Sequence, residues 1–236
     1  AGLQAHTEIA LAQSEIAQNT IEKFRIRLTD GQSRRMAERD TENSDSYRYY
    51  LNGLVLLNDK DVGRDKALDY FQKAVDLDPD FAIAWAEIAW IYLAQANASS
   101  DPDVQMPKAK AAVEKALALD PELAKARVVR AMIYEYEFEW TKAEGEYRQA
   151  VELSPNLDFA RNNYAFFLSV LDRQNEALAQ LEEQRMRDPL NRRLLLLQKA
   201  IVLVQARRFD EALQAYQEAQ AVEPSKGVPD FALGYA

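Results

Sequence analysis

Apolar residues along the chain fall into short stretches with helical spacing, and the stretches come in pairs. In residues 74–93, AVDLDPDFAIAWAEIAWIYL, an Asp-Pro dipeptide separates two such stretches. Similar breaks return in ALALDPELAKARVVRAMIY and in AVELSPNLDFARNNYAFFL. Apolar residues three or four positions apart lie on one face of an α-helix, and a proline cannot continue a helix. The pattern therefore predicts antiparallel helix pairs, each followed by a turn.

Five prolines end five similar segments and define a period. Consecutive prolines are separated by 42, 34, 34 and 35 residues: Pro79, Pro121, Pro155, Pro189 and Pro224. A period near 34, with aromatic, small and proline residues at fixed places, is the signature of the tetratricopeptide repeat (TPR), which this chain resembles. Within residues 46–226 the pattern predicts five repeats, numbered here 1 to 5: 46–79, 82–121, 124–155, 158–189 and 193–224.

Each predicted helix pair has one small residue in each helix. The first helices carry Gly53, Ala89, Ala131, Ala165 and Ala200, and the second helices carry Ala67, Ala109, Ala143, Ala177 and Ala212. Two helices approach closely only where side chains are small, and the larger residues around them fill the space between neighbours. Because one pair cannot bury its own apolar face, the pairs are expected to stack. The predicted fold is all-α, a right-handed TPR superhelix (α-solenoid).

The residue before each closing proline is polar. Asp78, Asp120 and Ser154 are examples. The proline pushes the preceding residue out of the helical region. Short polar side chains in that conformation accept hydrogen bonds from the first turn of a helix. We therefore expect these residues to help start the helix that follows.

Two segments flank the predicted repeats. Residues 1–45 are predicted to form an amphipathic helix over 3–29 and a polar linker. This helix could cap repeat 1, or occupy a groove in its own or another copy, which would make the chain a self-association (homo-oligomeric) module. Residues 227–236 resemble the start of a truncated sixth repeat. We therefore expect the sequence to be a fragment of a longer protein.

Charge and composition narrow the classes of partner. The 236 residues include 29 Lys and Arg against 38 Asp and Glu, so the formal net charge is −9. This charge argues against binding to nucleic acid or to an anionic membrane surface. No apolar stretch approaches the roughly 18 residues that a spanning helix needs, so no membrane insertion is expected. The absence of cysteine is equally compatible with a reducing cytoplasm and with an oxidising space such as a periplasm.

The sequence contains no recognisable catalytic arrangement. His6 is the only histidine, and there is no cysteine, so the usual pairs of nucleophile and base are missing. No Gly-rich phosphate loop occurs, and the carboxylates lie on helix faces beside Lys or Arg, which is typical of a solvated surface. We expect the chain to be no enzyme, with no catalytic residue, no metal site and no cofactor.

The first helix of each repeat is expected to line a concave inner face. The residue after each small site, together with two residues four positions earlier, gives the predicted partner-binding set: Tyr50, Leu54, Trp90, Met132, Asn162, Phe166 and Ile201. Such an apolar wall favours a protein or peptide partner, bound as an amphipathic helix or an extended apolar peptide. Asn162 would bond the peptide backbone. The alternative is that these residues are buried core of a tight superhelix.

Two positions in repeat 3 depart from the TPR signature. Arg127 and Arg130 stand where the signature has tryptophan and leucine. One interpretation is that their aliphatic stems pack while their charged ends reach water or a glutamate. The other is a recognition site for an acidic group. Because isolated surface ion pairs are common, we favour the first interpretation.

Longer phrases resemble one group of TPR proteins. EIAQNTIEKFRIRLT, TENSDSYRYYLNGLVLLN and KALDYFQKAVDLDPDFAIAWAEIAWIYL are similar to the repeat region of large bacterial signalling proteins. These are serine/threonine protein kinases, class III adenylate cyclases and winged-helix regulators with C-terminal TPR arrays. The resemblance extends from about residue 9 to Pro224. It implies a regulatory, non-catalytic protein-interaction scaffold, since no kinase or cyclase motif is present.

Overall fold

The computed structural model describes residues 41–57, 63–98, 102–187 and 191–222. This part of the chain forms ten α-helices, whose bounds are α1 Ser44–Leu57, α2 Gly63–Leu77, α3 Ala82–Ala98, α4 Met106–Leu119, α5 Ala124–Tyr136, α6 Trp140–Leu153, α7 Asp158–Val170, α8 Gln174–Arg187, α9 Arg192–Gln205 and α10 Phe209–Val222. The amphipathic helix expected over 3–29 and the expected sixth repeat lie outside the described residues.

The helices pack as consecutive antiparallel pairs. Helices α1 and α2, α3 and α4, α7 and α8, and α9 and α10 contact each other, and α2 with α3 and α8 with α9 join neighbouring pairs. The chain divides into two compact units between Val129 and Arg130, and both contain buried apolar residues. The predicted all-α, α-solenoid class of helix-turn-helix repeats is confirmed.

The small residues of the repeat are buried where helices meet. All nine predicted alanines are at most 8% exposed, and most are fully buried. The tenth small site is Gly53 in α1, which faces the ring of buried Phe71 in α2. A Cβ atom at position 53 would lie 2.5 Å from Cε1 of that ring. Close helix approach therefore depends on these residues, as the sequence predicts.

The residue before the closing proline stabilises the turn rather than the next helix. The side chain of Asp78 accepts a hydrogen bond from the backbone N–H of Asp80 at 3.1 Å, and its carbonyl accepts one from Phe81 at 3.2 Å. Asp120 bonds Glu122 and Leu123 in the same way, at 2.9 and 3.2 Å. The expectation that these residues start the next helix is corrected, because all four donors precede the first residue of α3 or α5.

Arg127 takes over a structural task of tryptophan. In repeat 2, the indole N–H of Trp85 donates to the carbonyl of Pro79 at 2.9 Å. At the corresponding place in repeat 3, Arg127 Nη2 donates to the carbonyl of Pro121 at 2.6 Å. Each side chain is long and flat, and each carries an N–H that reaches the proline carbonyl of the preceding turn. The departure from the signature therefore preserves the hydrogen bond.

The same bond recurs in repeat 4, where Arg161 Nε donates to the carbonyl of Pro155 at 3.0 Å. Arg130 instead forms an ion pair with Glu146 of α6 at 2.7 Å, and both side chains are mostly buried. These contacts support the interpretation that the two arginines of repeat 3 have structural roles.

Candidate partner-binding surface

The predicted inner residues of the first unit differ in exposure. Tyr50 is only 7% exposed, and its ring centroid lies 5.7 Å from that of Phe71 and 5.1 Å from that of Phe81. It is therefore part of the core between repeats 1 and 2. Leu54 and Trp90 are partly buried. The Arg64 guanidinium carbon lies 5.5 Å from the centroid of the Trp90 ring, so a cation already covers one face of that indole.

In the second unit, Phe166 of α7 is the most accessible of the predicted residues. Its side chain is 50% exposed, although the residues on either side, Ala165 and Phe167, are buried. Met132 of α5 and Ile201 of α9 occupy the same place in repeats 3 and 5, after the small site, and are partly buried. Helices α7 and α9 contact each other. We call these three residues and Asn162 the inner apolar set.

Asn162 stands one turn before Phe166 and carries an unsatisfied acceptor. Its Oδ1 atom is buried and accepts no hydrogen bond from any residue the structure describes. Leaving a buried acceptor unsatisfied costs about 1–3 kcal/mol. The adjacent Asn163 differs, because its amide donates to the carbonyl of Phe159 at 2.7 Å.

Other residues of the first helices α7 and α9 are buried and present no surface to a partner. Leu197 of α9 and Ser169 of α7 are nearly fully buried. The hydroxyl of Ser169 contacts the side-chain oxygen of Gln205, which links α7 to α9. The alternative of a buried core thus holds for part of the inner face, because adjacent first helices pack directly on each other there.

Two solved structures show which fold the chain shares. TTC0263, a TPR protein of Thermus thermophilus, matches with a TM-score of 0.57 at 19% identity, over 90% of this chain and 97% of that chain. PilF of Pseudomonas aeruginosa matches with a TM-score of 0.57 at 20% identity, over 81% of each chain. The chain has the tetratricopeptide-repeat fold. No family model matches its sequence, and no curated protein matches it.

Glu135 is an unusual acid in the predicted repeat 3. It lies near the end of α5, and its carboxylate accepts a hydrogen bond from the hydroxyl of Tyr147 in α6. Burial raises the pKa of Glu135 to about 7, and the bond from Tyr147 opposes this shift. Burial also raises the pKa of the Tyr147 phenol, followed in importance by the charge of Glu135. Glu135 therefore changes charge near neutral pH.

The free energy of unfolding of wild type is expected to fall as the pH rises, because Glu135 ionises in its buried site. Replacing Glu135 by glutamine should remove this fall. The folded-state pKa of Glu135 is raised above 4.5. Its contribution to the free energy of unfolding is therefore fully present below pH 4.5 and is lost as the pH rises through about 7. Glu135→Gln keeps an acceptor for Tyr147 and cannot ionise. Urea unfolding should show a variant more stable than wild type by less than about 1 kcal/mol at about pH 5 and by about 2 kcal/mol or more at about pH 8.

Glu182→Gln is the control of opposite sign. The bond from Arg185 lowers the pKa of Glu182. The contribution of Glu182 to the stability of the fold is therefore present at neutral pH and lost on acidification. A Glu135→Gln variant with the same pH profile as wild type would show that Glu135 stays ionised in its buried site.

Neither a metal-binding cluster nor a membrane-spanning helix occurs in the described ranges. They contain no group of three or more His, Asp or Glu residues placed to hold a metal ion. Among the ten helices, none is long and apolar enough to cross a bilayer.

One surface feature of repeat 3 was not predicted from the sequence. Phe138 and Trp140, at the turn between α5 and α6, are exposed aromatic residues. The signal was the alternation of acidic and aromatic residues in EYEFEW, 135–140. It falls at the end of a predicted helix, where a turn residue would be expected.

Proposed function

We propose that the chain is a protein-interaction scaffold that binds an amphipathic helix or an extended apolar peptide through the inner apolar set of its second unit. The observation that carries this proposal is the half-exposed ring of Phe166 between two buried neighbours. An aromatic side chain presented by a packed helix is rigid. Rigid aromatic residues are the groups that contribute most to protein interfaces.

Asn162 supports an extended backbone as the ligand. A backbone N–H of a peptide lying across α7 could bond its unsatisfied Oδ1 after a small rotation of the side chain. Apolar contact with Phe166 and this polar contact are one helical turn apart. A single peptide could therefore contact both residues. The Phe166 ring would provide affinity, and the hydrogen bond to the Asn162 amide would fix the position of the peptide along the helix.

The peptide is expected to bind by its side chains and backbone rather than by a terminal carboxylate. The inner apolar set contains no Lys or Arg. Some TPR proteins hold the C-terminal carboxylate of a peptide with Lys, Arg and Asn at inner positions, and this chain departs from that pattern. A C-terminal amide should therefore bind as well as the free acid.

Phe166→Ala is expected to weaken peptide binding at least about tenfold, because it removes the exposed ring from the centre of the surface. Peptides for the measurement would come from a random 15-residue library selected on the wild-type chain, with rounds of depletion on Phe166→Ala. Fluorescence anisotropy of labelled peptides then gives the affinities. Circular dichroism should show unchanged helicity, since half of the ring is outside the core.

Met186→Ala is the matched control. Met186 is 73% exposed on α8, the second helix of the same repeat, so the change removes a similar apolar area from the other helix. Equal loss of affinity in both variants, or loss of helicity in Phe166→Ala, would contradict the proposed site.

We also propose that this scaffold is the sensory or regulatory part of a bacterial signalling protein. The support is the resemblance of TENSDSYRYYLNGLVLLN and its neighbouring phrases to TPR regions of such proteins. Sequencing the complete open reading frame tests this. A kinase, cyclase or winged-helix domain in the same frame would support the role, and a frame without any such domain would contradict it.

A further inference from the structure

The turn between α5 and α6 presents aromatic side chains to solvent. Tyr136, Phe138 and Trp140 are 40%, 74% and 38% exposed, with Glu137 and Glu139 exposed between them. We call residues 136–140 the aromatic turn. Monomeric proteins rarely leave neighbouring large apolar side chains uncovered, so such a patch points to a contact site.

The backbone of the aromatic turn is fixed by hydrogen bonds. The N–H of Glu139 donates to the carbonyl of Tyr134 at 2.8 Å, and the N–H of Phe138 donates to that of Glu135 at 3.0 Å. These two bonds form a Schellman motif, which places Phe138 in the left-handed region at φ 61°. The motif usually has glycine there, because a side chain is disfavoured in this conformation.

The same turn recurs in repeats 4 and 5 with other residues. Asp172 has φ 62° and Arg207 has φ 57°, and each lies in the matching pair of hydrogen bonds. The turn therefore requires a left-handed residue but no aromatic ring. Phe138 adds to that conformation a side chain that is three-quarters exposed. The turn geometry does not account for this ring, because aspartate and arginine adopt the same conformation in repeats 4 and 5.

The aromatic turn is supported by the core beneath it. The rings of Phe138 and Trp140 meet edge to face, with centroids 5.6 Å apart. The Trp140 ring lies 6.5 Å from that of Phe167, which is fully buried and lies 5.2 Å from the ring of Tyr147. A row of rings thus connects the surface to the core. This support keeps the outer rings in place before a partner arrives, which lowers the entropy lost on binding.

Exposed acidic residues alternate with these rings. Glu137 and Glu139 lie between them, and the ammonium of Lys142 is 3.4 Å from Glu139. Glu144 pairs with Arg148 and Arg173, and Glu135 is bonded to Tyr147, so the negative charge at the turn comes from Glu137 and Glu139. The chain as a whole carries a net charge of −9. A partner that approaches this turn is therefore favoured if it is positively charged.

We propose that the aromatic turn is a second docking site, which binds a basic segment of a partner protein that carries an apolar side chain between Lys or Arg residues. The apolar side chain packs on Phe138 and Trp140, and the cations lie beside Glu137 and Glu139. This site is separate from the inner apolar set and uses neither Phe166 nor Asn162.

Phe138→Gly tests the site with little cost to folding. Glycine suits the left-handed conformation, so the melting temperature should stay at or above that of wild type. A random 12-residue peptide library would be selected on the wild-type chain and depleted on Phe138→Gly. The recovered peptides should contain an apolar residue flanked by Lys or Arg. Their affinity for Phe138→Gly should fall at least about tenfold by fluorescence anisotropy, and about 0.5 M NaCl should weaken binding to wild type.

Arg207→Gly is the matched control, because it places glycine at the same turn position of repeat 5. It should bind the selected peptides like wild type. The proposal is wrong if the library yields no peptide that depends on Phe138, if the peptides are acidic or uncharged, or if Arg207→Gly loses the same affinity. Concentration-dependent dimerisation of wild type that disappears in Phe138→Gly would also overturn it, since a second copy would then be the occupant.

The two selections keep the proposals distinguishable. Depletion on Phe138→Gly isolates peptides for the aromatic turn, and depletion on Phe166→Ala isolates peptides for the inner apolar set. Failure of one selection leaves the other result intact.

Discussion

Lys125→Met is expected to lower the free energy of unfolding of the first unit by about 3 kcal/mol. Lys125 forms an ion pair with Glu87, which is only 1% exposed in α3. The variant leaves this carboxylate buried without its cation. Removing one partner of a buried ion pair is costly, because the remaining charge has neither water nor a counter-ion.

The double variant Glu87→Met, Lys125→Met distinguishes the net contribution of the ion pair from the cost of leaving one charge unpaired. Replacing both charges with apolar side chains of similar length is often neutral, so most of the lost stability should return. Lys115→Met is the control, since Lys115 forms an exposed pair with Asp80 at 4.0 Å and should change stability by less than about 0.5 kcal/mol.

Tryptophan fluorescence during urea unfolding can report on the first unit alone. Two of the three tryptophans, Trp85 and Trp90, lie there, and Trp140→Phe removes the third. The measurement would be made in that background. Equal stability of Lys125→Met and its parent would show that water reaches Glu87 and that the pair contributes nothing.

Gly53→Ala is expected to destabilise the first unit by about 2 kcal/mol, against the usual preference of helices for alanine. The new Cβ would lie 2.5 Å from a carbon of the Phe71 ring. That ring is fully buried and packs against Tyr50, so it cannot move away without disturbing its neighbours. The overlap should therefore outweigh the gain in helix propensity.

Gly145→Ala supplies the opposite case in the same fold. Gly145 lies in α6, is exposed, and has nothing within 4 Å of an added Cβ. The change should stabilise the chain by about 0.5–1 kcal/mol through helix propensity alone. Urea unfolding should show a lower free energy of unfolding for Gly53→Ala and a higher one for Gly145→Ala. A stabilising Gly53→Ala would show that α1 and α2 do not meet as closely as the structure has them.

The repeat and its small residues could be read from the sequence because they follow from local rules. A helix ends near a proline, and two helices meet where side chains are small. Gly53 and Ala143 are examples, since each has a place set by the period. The period also shows where Arg127 replaces a tryptophan. That its guanidinium bonds the carbonyl of Pro121 requires the turn geometry.

The exposure of the inner residues could not be read in this way. Tyr50 and Phe166 are both aromatic and both belong to first helices, yet one is buried and the other is half exposed. The difference depends on which side chains arrive from neighbouring helices, as Phe71 and Phe81 do at Tyr50. Those contacts join residues that are far apart in sequence.

The aromatic turn was missed for a different reason. A phenylalanine in the left-handed region contradicts the usual preference for glycine, so Phe138 gives no local signal for a turn. The conformation is set by the hydrogen bonds that end α5, and only the structure shows them.

The most direct test of the inner apolar set as a peptide site is to map bound peptide by NMR. A peptide selected on the wild-type chain with depletion on Phe166→Ala would be titrated into isotope-labelled protein. We predict that the largest shift changes fall at Met132, Asn162, Phe166 and Ile201, with little change around Met186 on α8. Changes concentrated on the second helices, or spread evenly over the chain, would contradict the account.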